Sequence, residues 1–299
     1  MNILSIQSSV AYGHVGNSAA VFPLQRLGIE VWPVMTVHFS NHTGYGEWRG
    51  PLLAAKDVGD VITGIDERGA LAQCDAVLSG YQGAQDVGAV ILDAVAKVKS
   101  QNAEAVYCCD PVMGDVGRGF FVRPGIPEFM RDQVVPAADI VTPNHFELDF
   151  LTGRVTSTLD DVLSAADQVR SMGPDTVLVT SVIHEKVDDG SLEMVAVTPE
   201  GAWSVTTPLL PITPNGAGDL TAALFLAHTL GNSLGDSLGD SLGNSLGDGA
   251  VGEALGRTAS TVFTILEATA ASGEREIALV ANQEAIANPS MQFQVTALR

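Results

Sequence analysis

Short apolar runs alternate with longer segments of helical periodicity along most of the chain, and this alternation limits the fold more than any other feature. Residues 76–79 and 105–109 are brief apolar runs, and residues 87–99 between them carry apolar side chains at helical spacing. Uninterrupted apolar strands are typical of a parallel sheet that is covered on both faces. The pattern predicts an α/β fold with a central, mostly parallel sheet and helices on both faces.

Two later segments depart from this alternation. Residues 192–197 and 201–206 are strand-like runs separated by a short turn, which predicts a hairpin and an antiparallel edge of the sheet. Residues 231–250 repeat the tetrapeptides GNSL and GDSL, and a glycine at every fourth position opposes a stable helix. Because no linker separates two cores, we expect a single domain over residues 1–299, with a low-complexity loop inserted at about 231–250.

The balance of charge excludes some classes of partner. The 299 residues carry 15 Lys and Arg against 35 Asp and Glu, a formal net charge of −20. Binding a nucleic acid or an anionic membrane surface requires clustered basic side chains, so we expect neither partner. The chain shows no apolar run of membrane-spanning length and no amino-terminal signal, and Cys74, Cys108 and Cys109 fit reduced thiols. We therefore expect a cytoplasmic location.

Small residues precede a predicted helix in the segment PNGAGD, residues 214–219, where the apolar segment 220–230 follows at once. Gly216, Ala217 and Gly218 allow consecutive backbone N–H groups to point at one spot. The start of the helix adds its own unpaired N–H groups and the positive end of its dipole. The segment therefore predicts an anion site.

Asp219 stands at the mouth of this predicted anion site. A carboxylate there repels a resting phosphate, but it can take a proton from an attacking hydroxyl while the site holds the transferring phosphoryl group. The alternative is that Asp219 only caps the amino terminus of the helix, which is common for Asp. The segment alone leaves both interpretations open.

A second polar pair, Asn144 and Glu147, has the spacing of neighbours on the first turn of a helix. An amide and a carboxylate in this arrangement can order water molecules around Mg²⁺. The same spacing also fits a capping box, with Asn144 as the N-cap and Glu147 three residues later. Taken alone, the spacing favours the capping box.

Two further polar residues, Asp110 and Ser8, are expected at the carboxyl ends of strands, where open α/β sheets bind their ligands. The segment GDVGRG that follows Asp110, residues 114–119, is rich in glycine and is a candidate flap. An ordinary loop is the alternative for Asp110 and its flap, and an ordinary turn is the alternative for Ser8.

Several familiar sites are missing from the sequence. It contains neither the GxxxxGK[ST] motif of a P-loop nor a GxGxxG motif after a strand, and its six histidines lack a zinc-binding spacing. No Lys or Arg occurs from Val187 to Gly256. The charge of a phosphate near Asp219 must therefore be met by backbone N–H groups, Mg²⁺ and a monovalent cation.

Taken together, these segments resemble the pyridoxal kinases, a family of the ribokinase-like superfamily. The GAGD and N-x-x-E motifs are shared across the superfamily, whereas IQS…GNSAA and FSNHTGY are much more specific to pyridoxal kinases. The resemblance covers nearly the whole chain in family order, apart from the tetrapeptide repeat. The segments that carry it are ILSIQSSVAYGHVGNSAAVFPLQRLG (3–28), VHFSNHTGYGEW (37–48), VLSGY (77–81), CDPVMGD (109–115), DIVTPNHFELDFLTG (139–153), MGPDTVLVTS (172–181) and NGAGDLTAALFLA (215–227).

The resemblance implies a reaction, its cofactors and its residues. ATP phosphorylates the 5′-hydroxyl of pyridoxal, and often of pyridoxine and pyridoxamine, with Mg²⁺ and a monovalent cation, K⁺, in a protein that is typically a homodimer. By the same resemblance Asp219 is the general base; Gly216, Ala217 and Gly218 form the anion hole; Ser8, Thr43 and Tyr81 hold the pyridine ring; Asp110, Thr142, Glu147 and Thr180 bind the metal ions of the nucleotide; and Asn144 and Asp115 lie near the ATP phosphates.

The chain departs from the family pattern at two of these positions. Ala217 replaces a Val or Thr that is common in the anion motif, and Thr180 stands where some bacterial members have Lys. Two alternatives to a pyridoxal kinase remain. A hydroxymethylpyrimidine kinase would share the fold and the chemistry, although FSNHTGY argues against it. A catalytically silent protein that binds pyridoxal 5′-phosphate or nucleotide is disfavoured by the intact Asp219.

Overall fold

The computed structural model describes residues 1–185, 187–235 and 250–299 of the chain. The predicted alternation of strands and helices is present in these ranges. The strands are β1 (Asn2–Val10), β2 (Glu30–Phe39), β3 (Ala76–Ser79), β4 (Val106–Cys109), β5 (Gly114–Asp115), β6 (Gly119–Phe120), β7 (Ile140–Val141), β8 (Thr176–Val182), β9 (Ser191–Val197), β10 (Ala202–Pro208) and β11 (Val295–Ala297).

The helices fill most of the segments between the strands. They are α1 (Asn17–Arg26), α2 (Ala55–Asp66), α3 (Gln85–Gln101), α4 (Ile126–Phe129), α5 (His145–Thr152), α6 (Leu159–Arg170), α7 (Ala217–Gly235), α8 (Ala250–Ser272) and α9 (Gln283–Ala287). Short 3₁₀ turns lie at Thr43–Tyr45, Leu71–Gln73 and Val135–Ala137, and a π-helical turn lies at Met130–Val134.

A nine-stranded sheet forms the centre of the fold, in the order β11-β10-β9-β8-β7-β4-β3-β1-β2. The strands from β2 to β8 in this order pair in parallel, whereas β8, β9, β10 and β11 pair antiparallel. The predicted parallel sheet with an antiparallel edge is therefore confirmed. Strand β11, which completes that edge, was not predicted.

Helices cover both faces of the sheet because successive strand residues point to opposite sides. In β1, Leu4 and Ile6 join one apolar core, to which α2, α3, α5 and α6 contribute, whereas Ile3 joins a second core with α1, α7 and α8. All residues of β3 are buried. Burial on both faces explains the uninterrupted apolar runs in the sequence.

The parallel strands place several predicted site residues at one edge of the sheet. Strand β1 lies between β2 and β3, so the chain leaves β1 towards one side and crosses to the other side for β3. In open α/β sheets, ligands bind outside the carboxyl ends of the strands at such a reversal of strand order.

Some element boundaries differ from the predictions. Strand β1 continues past residue 7 because its pairing with β2 extends to Val10 and Phe39. Ser8 therefore lies within the strand and not after it. Helix α2 was not predicted.

The repeat lies mostly outside the described residues. Helix α7 extends to Gly235 and α8 begins at Ala250, so the first residues of the repeat continue a helix. The predicted loop is otherwise the segment 236–249, which lies outside the described residues. No helix in the described ranges combines the length and the apolar character that crossing a membrane requires.

Candidate active site

A glycine-bounded loop leads into α7 at the carboxyl edge of the sheet. Gly216 has a φ of +85°, and a Cβ atom there would lie 1.7 Å from the carbonyl oxygen of His14. Only glycine fits this close approach in a left-handed conformation. Leu220 donates the first helical hydrogen bond to the Gly216 carbonyl at 3.0 Å. The first N–H groups of α7 lack partners within the helix, so this loop and helix start can bind an anion.

Asp219 lies in the first turn of α7 and is half-buried. It is the third residue of the helix and not its N-cap, so the interpretation as a simple cap is wrong. Burial raises the pKa of its carboxyl group, while the backbone N–H groups of Gly16 and of Asp219 itself lower it. A carboxylate with a raised pKa is a stronger base and is held here beside the anion loop.

Asp110 brings a second carboxylate to the same edge, directly after β4. Its side chain is buried, and one carboxylate oxygen lies near Gly218. Burial raises the pKa of Asp110 well above its usual range, and the negative charges of Glu147 and Asp219 raise it further. Asp110 therefore lies close enough to Glu147 and to Asp219 for their charges to repel its own, and a bound cation would relieve that repulsion.

Glu147 is almost completely enclosed, and main-chain groups occupy both of its oxygens. Oε1 accepts hydrogen bonds from the N–H groups of Met113 at 2.8 Å and Gly114 at 3.4 Å, and Oε2 accepts one from Asn144 at 2.9 Å. The Asn144 side chain accepts a bond from the Glu147 N–H at 2.9 Å, which completes the capping box predicted for this spacing. Burial raises the pKa of Glu147 to about 7, although the three N–H groups oppose the rise.

The candidate flap forms the short hairpin β5–β6. Asn144 donates to the Gly114 carbonyl at 2.8 Å, which fixes the base of the hairpin next to α5. Phe120 of the hairpin packs edge-on against Phe146 and Phe150, with ring centroids 5.1 and 5.0 Å apart. Asp115 lies in β5, and its side-chain Oδ1 accepts a hydrogen bond from the N–H of Val116 at 2.7 Å. The hairpin is thus anchored on α5, the helix that carries Glu147.

The donor set suits hard cations. The buried Thr142 hydroxyl has no hydrogen-bond partner of normal geometry among the described residues. It nevertheless lies close enough to Asp110 to lower the raised pKa of that carboxyl group. Thr180 pairs with Asn144 in an isolated parallel bridge, which places its main chain beside the start of α5. Carboxylate and hydroxyl oxygens are the ligands that Mg²⁺ takes, usually with few protein ligands and several waters. Among the residues that the structure describes, no group of three or more His, Cys, Asp or Glu side chains is arranged to hold a metal ion.

The three residues expected to hold a ring lie on the side of β1, β2 and β3. Ser8 is buried in β1, and the next residue, Ser9, pairs with Gly16, whose N–H faces Asp219. Tyr81 follows β3 and packs against a small apolar cluster of Val10, Val15, Val37 and Phe39. Thr43 begins the 3₁₀ turn after β2 and is exposed. Hydroxyl groups around an apolar floor are typical of a site for an aromatic ligand.

The sequence analysis missed one pair of residues at this site, Arg275 and Glu276. Glu276 accepts a hydrogen bond from the His14 N–H at 2.9 Å and another from the Tyr45 hydroxyl at 2.8 Å. No motif or periodicity distinguishes this pair, and only the folded chain brings it next to loops more than 200 residues away.

Comparison with known proteins gives a consistent result. The sequence model of the phosphomethylpyrimidine kinase family matches residues 60–241. A pyridoxal kinase PdxY from Rubrobacter xylanophilus is 61% identical over 296 residues, which cover 99% of this chain and 97% of that protein. A pyridoxal kinase PdxY from Leifsonia xyli is 55% identical, with 99% of both chains covered.

A solved structure extends the likeness to the fold. The pyridoxal kinase from Leishmania donovani in complex with ADP and pyridoxamine superposes with a TM-score of 0.87 at 27% identity, covering 100% of this chain and 99% of that one. The predicted ribokinase-like fold class is therefore confirmed, and so is the resemblance to the pyridoxal kinases.

The close approach of Gly216 to the His14 carbonyl predicts that adding one methyl group at residue 216 destabilises the fold. Gly216→Ala should lower the free energy of unfolding by about 2 kcal/mol or more, because it combines a disfavoured φ with a backbone clash. Gly218→Ala is the matched control, since its Cβ would approach Asp110 Oδ2 only to 3.9 Å, in ordinary contact. Urea unfolding of both variants measures the difference; equal stability would contradict the close approach.

The raised pKa of Glu147 predicts a pH-dependent stability. Its pKa is higher in the folded chain than the ordinary value of 4.5, so its stabilising contribution is complete below pH 4.5 and is lost as the pH rises through about 7. As the pH rises between these two values, the unfolding free energy of the parent chain should fall relative to that of Glu147→Gln.

Melting temperatures of the parent and Glu147→Gln without added divalent cations, from pH 4.5 to 8, check this prediction. The control is Glu67→Gln, which changes an exposed carboxylate at the end of α2. A constant offset between the parent and Glu147→Gln at every pH would contradict it.

Proposed function

We propose that this chain, which belongs to the pyridoxal kinases within the phosphomethylpyrimidine kinase family, transfers the γ-phosphoryl group of ATP to the 5′-hydroxyl of pyridoxal. Pyridoxine and pyridoxamine are further candidate substrates. The observation that carries the proposal is the position of Asp219, half-buried in the first turn of α7 and directly after the anion loop. Near-full-length identity to pyridoxal kinases supports the choice of substrate.

Asp219 acts as the general base in this proposal. Its carboxylate takes the proton of the 5′-hydroxyl while that oxygen forms a bond to the γ-phosphorus. The bond between the γ-phosphorus and the bridging oxygen breaks, and ADP leaves with the electron pair. The Gly216–Gly218 loop at the start of α7 holds the charge that develops on the phosphoryl oxygens.

Asp110, Thr142, Glu147 and Thr180 would hold Mg²⁺ and K⁺. Direct ligation falls to Asp110 and the hydroxyl groups, whereas Glu147 would contact a cation through water, because main-chain N–H groups already occupy both of its oxygens. The cations would supply the positive charge that the triphosphate needs, which fits the lack of Lys and Arg from Val187 to Gly256. Asn144 and Asp115, at the base of the flap, would lie beside the phosphates.

Ser8, Thr43 and Tyr81 would hold the pyridine ring on the other side of Asp219. The hydroxyl groups of these residues can orient the polar substituents of the ring, and the apolar cluster beneath Tyr81 supports its face. A homodimer in the cytoplasm remains our expectation, supported by the resemblance and by the three buried free cysteines.

A hydroxymethylpyrimidine kinase is the second candidate, because the matching family model carries the name phosphomethylpyrimidine kinase. Both reactions place a hydroxymethyl group on an aromatic heterocycle next to the same base, so geometry at Asp219 does not separate them. A silent binding protein is disfavoured, because a carboxylate with a raised pKa next to an anion site serves no purpose in binding alone.

Asp219→Asn tests the assignment of the base. Turnover of pyridoxal with ATP and Mg²⁺ should fall by about 10²–10⁴-fold, because the amide cannot accept the proton. The dissociation constant for ATP should stay within about twofold, since the anion loop itself is unchanged. ADP release gives the rate, and calorimetric titration gives the affinity.

Asp60→Asn, at an exposed position of α2, is the control for this substitution. An active Asp219→Asn variant would remove Asp219 from the mechanism. A parent protein that phosphorylates hydroxymethylpyrimidine but not pyridoxal would keep the base and change the substrate.

Asp110→Asn tests the cation site. The Mg²⁺ concentration for half-maximal rate should rise about tenfold or more, because a carboxylate ligand is lost. In the absence of cations the same variant should melt at an equal or higher temperature than the parent, because the carboxylate that Glu147 and Asp219 both repel is gone. Asp93→Asn on the exposed face of α3 is the control. An unchanged Mg²⁺ dependence would contradict the assignment.

A further inference from the structure

The carboxylate of Glu276 ties together two loops of the candidate site. Oε2 accepts a hydrogen bond from the main-chain N–H of His14 at 2.9 Å, in the loop between β1 and α1. Oε1 accepts one from the Tyr45 hydroxyl at 2.8 Å, in the 3₁₀ turn after β2. That turn begins at Thr43, one of the residues expected to contact the pyridine ring.

The main chain of Glu276 also reaches the anion loop. It pairs with Asn215 in an isolated parallel bridge, and Asn215 directly precedes Gly216. Gly216 in turn lies against the carbonyl of His14. Three segments that are distant in sequence thus meet around one residue: the β1–α1 loop, the turn after β2, and the loop before α7.

Arg275 adds a second contact to the turn after β2. Its guanidinium donates to the Gly44 carbonyl at 3.1 Å and lies 4.3 Å from the centroid of the Tyr45 ring. The Tyr45 ring also meets Tyr12 edge-on, with centroids 6.3 Å apart. Arg275 therefore contacts the main chain of the turn at Gly44 and the aromatic ring of Tyr45, while Glu276 contacts the hydroxyl group of Tyr45.

The carboxylate of Glu276 lies directly against the main chain of Gly13. A Cβ atom at Gly13 would lie 2.0 Å from Oε2, and Gly13 has a φ of +95°. The hydrogen bond to Glu276 raises the pKa of the Tyr45 hydroxyl to about 12. The β1–α1 loop is thus shaped to receive the carboxylate.

We propose that Arg275 and Glu276 are positioning residues that hold the Thr43–Tyr45 turn and the β1–α1 loop in place against the pyridine ring of the substrate. The proposal rests on the proposed function, which assigns Thr43 to the ring. Glu276 acts through Tyr45 on the position of Thr43, and through His14 on the loop whose Gly16 N–H faces Asp219. The side chains of this pair contact the β1–α1 loop and the Thr43–Tyr45 turn, whereas it is the main chain of Glu276 that reaches the loop before α7. A side-chain substitution at Glu276 should therefore affect the ring side more than the nucleotide side.

The kinetic test compares Glu276→Gln and Tyr45→Phe with the parent chain. Glu276→Gln should raise the KM for pyridoxal about tenfold, because both hydrogen bonds lose the negative charge of their acceptor and are weakened. Tyr45→Phe should raise it less, because Arg275 still contacts the ring. The KM for ATP should stay within about twofold in both variants.

Glu284→Gln is the matched control. Glu284 lies in the same carboxyl-terminal segment as Glu276, and its substitution removes an ion pair with Arg26 away from the three loops. This variant should leave both KM values unchanged. The double variant of Tyr45 and Glu276 should show less than the product of the two single effects, because both changes remove the same contact. Equal increases of both KM values, or independent effects, would overturn the proposal.

Hydrogen exchange at residues 12–16 and 42–46 of the unliganded protein separates this proposal from the proposed function. Exchange should accelerate in Glu276→Gln at both segments and stay unchanged around Glu147. If the parent chain fails to phosphorylate pyridoxal, the proposed function fails, while this measurement still shows whether Glu276 holds the two loops in place. If the parent is active but neither the exchange nor the KM for pyridoxal changes, the positioning role fails alone. Should Glu276→Gln not fold, Tyr45→Phe decides by the same two readouts.

Discussion

Negative charge gathered at the carboxyl edge of the sheet is the constraint on which the site depends. Asp110 comes within range of the charges of Glu147 and Asp219 because several strands end at the same edge of the sheet. Basic side chains near them are replaced by main-chain N–H groups, at the start of α7 for an anion and at Met113, Gly114 and Asn144 for Glu147. In the proposed function, such a site suits a nucleoside triphosphate that arrives with its own cations.

The close approach of loops is the second condition for the site. The loop before α7 contacts the β1–α1 loop at Gly216 and His14, and Glu276 fastens both to the turn after β2. The flap is fastened separately, through Asn144 and through the aromatic contact of Phe120 with α5. The loops around Asp219 are therefore fastened to one another through Glu276, whereas the hairpin β5–β6 is fastened to α5.

Much of the fold could be predicted from the sequence because the relevant signals are local. Apolar runs predicted the strands, small residues predicted a tight loop before α7, and the spacing of Asn144 and Glu147 predicted the capping box. The extent of β1 could not be predicted, since it depends on pairing with β2 up to Phe39. Glu276 could not be found either, because its partners lie 231 and 262 residues away in the chain. Long-range contacts of this kind leave no periodicity in the sequence.

The identity of the phosphorylated product tests the central claim most directly. Purified protein would be incubated with ATP, Mg²⁺, K⁺ and equal amounts of pyridoxal and hydroxymethylpyrimidine, and the products would be identified by mass spectrometry. We expect pyridoxal 5′-phosphate, with one ADP formed for each molecule of product, and little phosphorylated pyrimidine. Phosphorylated pyrimidine as the main product, or ADP without any phosphorylated pyridoxal, would contradict the account.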